Sequence, residues 1–72
     1  MDTRYLVFFD TASGRSLRTS IPASTVNLVG GQLRDDVGQV IAIKSRDGHH
    51  WVLKRPGNPD FVGAVFDDYR FE

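Results

Sequence analysis

The dipeptide Asp47-Gly48, set between the apolar runs Val40-Ile41-Ala42-Ile43 and Trp51-Val52-Leu53, constrains this chain more than any other feature. Asp-Gly between two such runs specifies a β-hairpin, and a two-residue type I′ loop suits it because both central residues must tolerate positive φ. That loop pairs Arg46 with His49, Lys44 with Trp51, Ala42 with Leu53 and Val40 with Arg55, all on one face. The opposite face carries Ile41, Ile43 and Val52 with Ser45, His50 and Lys54. Such a hairpin is apolar at its base, where it belongs to the middle of a sheet, and basic toward its tip.

A second hairpin precedes it. Tyr5-Leu6-Val7-Phe8-Phe9 runs into the turn formers Asp10-Thr11-Ala12-Ser13-Gly14, after which Leu17, Thr19 and Ile21 alternate with Ser16, Arg18 and Ser20. The first arm is apolar on both faces and the second on one, so the first lies deeper in its sheet. Pro22 ends the second arm, because it has no N–H to give a ladder. Residues 24–29 read as a helical turn capped by Ser24, against the extended preference of Thr25, Val26 and Val29. Residues 30–38, with three glycines and Asp35-Asp36 around Leu33 and Val37, read as a loop or irregular connection.

After Arg55-Pro56-Gly57-Asn58-Pro59 breaks the strand, Phe61, Val62, Val65, Phe66 and Tyr69 recur at amphipathic helical spacing, with Asn58 as cap and Pro59 in the first turn. Gly63 and the late acids Asp67 and Asp68 oppose that helix, and a closing strand over residues 69–71 is expected after it. The fold class expected is therefore α+β: one small domain over residues 1–72, a predominantly antiparallel sheet of two hairpins and a short C-terminal helix. The alternative is a small all-β barrel should the helix fail. No internal repeat is visible.

Composition narrows the function classes. Nine Lys and Arg balance nine Asp and Glu, so no overall field selects nucleic acid or an anionic membrane, and an electrostatic partner must find a local patch. Cysteine is absent, which removes disulfides, thiolate metal sites and thiol nucleophiles and fits a reducing cytoplasm. The longest apolar run, Tyr5 to Phe9, is far short of the roughly 20 residues of a membrane span. A domain this small exposes much of its surface, which leaves a homodimer open.

The cluster that stands out is basic and aromatic: Lys44, Arg46, His49, Trp51, Lys54 and Arg55, with Asp47 the only acid in the span. With Trp51 exposed, this layout offers phosphate contacts plus base stacking, or an aromatic anchor for an acidic protein. With Trp51 in the core, Lys44 and Arg55 merely cover its edges with their methylene stems. His49 and His50 point to opposite faces of a strand and cannot chelate together, so no metal site is expected; nor is a cofactor. No nucleophile elbow or phosphate-binding loop occurs. A chain of this length also has little volume for a pocket above ~300 Å³, so catalysis is the least favoured class. The aromatics Phe61, Phe66, Tyr69 and Phe71 gather near Asp60, Asp67, Asp68 and Glu72 as core-closing residues with a wet acidic side, or as a docking face. The expectation is a non-enzymatic interaction module that binds, and regulates or inhibits, another cytoplasmic protein through a hairpin or sheet edge. The alternatives are a nucleic-acid binder using residues 44–55 and, last, a minor enzyme.

Overall fold

The structure, a computed structural model, describes residues 4–54 and 62–72. Eight strands run through them: β1 Tyr5–Phe9, β2 Ser16–Pro22, β3 Asn27–Val29, β4 Gln32–Arg34, β5 Val40–Lys44, β6 Trp51–Leu53, β7 Val65–Phe66 and β8 Asp68–Phe71. They form two antiparallel sheets, ordered β2-β1-β8 and β3-β4-β5-β6-β7. β1 is central in the smaller sheet, as its two apolar faces require. β2 ends on Pro22, as a residue without an N–H dictates.

The expected α+β class is wrong, and so is barrel closure: the protein is nearly all β, and its two sheets do not close into a barrel. In place of the C-terminal helix, Val62 and Gly63 turn, Ala64 follows, and β7 and β8 complete the chain. Gly63 has φ of 85° and donates to Leu53 O at 2.8 Å, while Leu53 donates to Ala64 O at 2.9 Å. Backbone pairing with β6 thus takes the groups a helix would have used internally. The expected cap Asn58, Pro59 and Phe61 lie outside the described residues. The turn expected over residues 24–29 survives only as a 3-10 turn at Ala23–Thr25, and the β-branched preference prevails in β3. The segment read as a loop contains β4, whose Leu33 is buried.

Cross-strand partners share a face, so the ladders sort the larger sheet into two sides. Leu28, Leu33, Ala42 and Leu53 form one row, with Lys44, Trp51 and Phe66 in another on the same side. Leu33, Ala42, Leu53, Trp51 and Phe66 of that side are buried together with Leu6 and Phe8 of β1 and Ile41, so this is the core face. Val29, Gln32, Ile43, Val52 and Val65 line the other side.

Aromatic rings join the two sheets. Phe8 lies 6.1 Å from Phe66 and 6.4 Å from Tyr69, and Trp51 meets Tyr69 edge-on at 5.5 Å. The chain leaves the smaller sheet through the 3-10 turn Ala23–Thr25, between β2 and β3, and returns to it through a single residue, Asp67, between β7 and β8. Its carboxylate accepts the Thr11 N–H at 3.1 and 3.2 Å and the Thr11 hydroxyl, fixing the crossover to the β1–β2 turn.

Candidate functional site

The basic hairpin forms in the expected register, with Lys44 opposite Trp51 and Ala42 opposite Leu53. Its tip differs from a two-residue loop. Ser45 donates to His50 O at 2.8 Å, Gly48 donates to Ser45 O at 3.0 Å, and the connection runs over four residues, Arg46 to His49. Only Gly48 takes positive φ, 75°; among the described residues no non-glycine does, so a type I′ geometry at Asp47 is excluded. Asp47 organises the tip instead. Its carboxylate accepts the Ser45 hydroxyl and the His49 N–H at 2.9 Å and lies 3.3 Å from His50 Nδ1. Those contacts, led by the Ser45 hydroxyl, lower its pKa to about 2. Since Ser45 gives its proton to Asp47, it is not a hydroxyl activated by a histidine. No group of three or more potential metal-ligating side chains occurs among the described residues.

The six residues singled out from sequence do not converge on one surface. Arg46 and His49 are exposed at the tip and do not pair across a ladder. Lys54 follows Leu53 and so leaves the core side, and Arg55 lies outside the described residues. Trp51 is only 4% exposed, so its ring is a wall of the core and not a free platform for base stacking. Lys44 keeps a specific place, with Nζ 5.1 Å from the Trp51 ring centroid. Among the described residues no carboxylate pairs with Lys44, Arg46 or Lys54.

What the structure builds around Lys44 and the edge of Trp51 is an open groove of about 390 Å³, completed by Leu28, Gly30 and Gly31. Its volume exceeds the ~300 Å³ for which a chain of this length was expected to have little room, but as an open surface groove and not an enclosed pocket. The groove exists because the larger sheet extends past its cover. Leu28 is on the core face, in row with three buried residues, yet is 61% exposed. Gly31 keeps the groove clear: it accepts the Lys44 N–H at 2.7 Å, and a Cβ there would stand 3.4 Å from Lys44 Cβ. Chemically the groove offers apolar surface from Leu28 and Trp51 beside one cation, Lys44, which suits an apolar group next to an anion.

Sequence reasoning missed Leu28, Gly30 and Gly31. A signal was present: residues 19–33 contain no charged side chain, the longest such run in the chain. No protein family, curated protein or solved structure matches this chain. The described residues include no helix long and apolar enough to cross a membrane.

Proposed function

We propose that this chain is a non-enzymatic interaction module that captures an extended segment of another protein in the groove beside β3. One apolar side chain of that segment packs against Leu28 and the edge of Trp51, and an adjacent carboxylate reaches Lys44. The observation that carries this reading is the uncovered corner of the core face, where apolar surface of core character meets a cation with no carboxylate partner among the described residues. Arg46 and Lys54, also unpaired among the described residues, add a positive approach for an acidic partner. A small cysteine-free domain of this kind fits a reducing compartment, and we place the interaction in the cytoplasm. Binding there would regulate or inhibit the protein that owns the segment.

The test is an amide and indole NMR titration with acetylated, amidated tetrapeptides that place Leu beside Asp or Glu. Shifts confined to Leu28, Gly30, Gly31, Lys44 and the Trp51 indole, lost in Gly31→Leu and Lys44→Glu, are the expected result. Shifts scattered over the surface, or unchanged in Gly31→Leu, refute the groove. Single-stranded oligonucleotide run in parallel separates the nucleic-acid alternative: salt-sensitive shifts on Lys44, Arg46 and Lys54 would favour it.

A further inference from the structure

The two sheets present four outer edges, and three of them are protected. β2 carries Arg18 and ends on Pro22, β8 carries Asp68 and Arg70, and β7 is two residues long with its Val65 carbonyl accepting from Arg15 at 3.1 Å. Charges, proline and shortness are the ordinary means of keeping an edge from pairing with another chain. The fourth edge, β3, is also short, at three residues, but carries neither charge nor proline. Asn27, Leu28 and Val29 are all exposed, Leu28 at 61% and Val29 at 56%, and they sit inside the uncharged run of residues 19–33.

From this contrast we propose that β3 is a self-association edge, pairing antiparallel with β3 of a second copy so that two five-stranded sheets join into one of ten strands. A second copy fits because the edge is self-complementary. With the two-fold axis at Leu28, each Leu28 faces its equivalent and Asn27 faces the partner's Val29, so no like charges meet. Leu28 covers its counterpart on the core side and Val29 adds apolar surface on the other. The formal net charge of zero leaves no long-range repulsion to oppose the encounter. A seam of three residues per copy buries far less than the ~1,200 Å² of a stable interface, so the dimer is weak and in rapid exchange. The proposal goes beyond the groove reading but shares Leu28 with it, so pairing at the edge and occupation of the groove compete.

Sedimentation equilibrium over a concentration series up to the millimolar range tests it. The wild-type mass rises with concentration from one chain of 8.1 kDa toward two. Leu28→Lys and Val29→Lys each weaken the association at least ten-fold, since lysine on an edge is a natural guard against pairing. Both side chains are exposed, so the fold is expected to survive, and Trp51 emission verifies it. Independently, amide exchange at residues 27–29 slows with concentration in the wild type. Arg46→Glu, at the exposed hairpin tip, leaves the mass distribution unchanged. A wild-type chain that stays monomeric throughout overturns the proposal. So does a dimer that persists when Leu28→Lys and Val29→Lys are combined.

Discussion

The two ends of the five-stranded sheet are made of the same materials and finished in opposite ways. At the β7 end, the β1–β2 turn reaches across from the smaller sheet. Arg15 stacks 4.7 Å from the Phe66 ring centroid and donates to Val65 O, and Thr11 is held by Asp67 one residue on. Phe66 is 1% exposed there. At the β3 end nothing among the described residues plays the part of Arg15 or Thr11, and Leu28, on the same side of the sheet, stands in solvent. The chain links the two sheets at both ends, through Asp67 beside β7 and through the 3-10 turn Ala23–Thr25 before β3, so what closes an edge here is the β1–β2 turn folded over it, and among the described residues only the β7 end receives that cover.

The sharpest way to break that comparison is to remove equivalent apolar groups at each end. Phe66→Ala should cost about 3–5 kcal/mol, enough to threaten the fold of so small a domain. Leu28→Ala should stay within about 0.5 kcal/mol, both read by urea denaturation. Equal costs would mean that Leu28 is as much core as Phe66. At the hairpin tip, Gly48→Ala should destabilise by about 1 kcal/mol, because alanine resists a φ of 75°. Gly31→Leu at the open end should change stability by less than about 1 kcal/mol, since φ there is ordinary, while abolishing peptide binding in the groove.

The closed end and the hairpin tip should also respond to acid. Asp67 is held below its ordinary pKa by the Thr11 hydroxyl, with His50 adding to the effect, and Asp47 is held at about 2. A carboxylate whose pKa falls on folding contributes stability that is complete above its unfolded value, near 4, and is lost as pH drops through the folded one. Stability should therefore decline between about pH 4 and pH 2, and Asp67→Asn and Asp47→Asn should each flatten that decline. Asp47 is exposed and Asp67 only half-buried, so the change is modest and best followed as the pH dependence of the thermal midpoint. A decline of the same slope in both variants would show that neither carboxylate is responsible.

Local chemistry made some of this architecture readable in advance. Asp47-Gly48 was enough to set Lys44 against Trp51, because two-residue and four-residue loops centred on it give the same register. The doubly apolar Tyr5–Phe9 was enough to place β1 at the centre of its sheet. Phe66 and Tyr69 misled for a definite reason: a separation of three fits one face of a helix and also fits two strands that change sheet at Asp67, which turns both rings onto one core from opposite sides. β3 and β4, at three residues each, are too short to show a period. The basic cluster was half legible. The pairing of Lys44 with Trp51 followed from register, while the burial of that tryptophan depended on Tyr69 arriving from β8.

By itself, then, the sequence determined a β-rich chain, two hairpins, the pairing of the second of them, and a basic tip, since each follows from residues within a turn or two of one another. The tertiary structure alone decided which apolar surfaces are core, because burial is set by where the second sheet stops. It stops short of Leu28, and the groove, the free edge and both proposed interactions of this protein lie at that boundary.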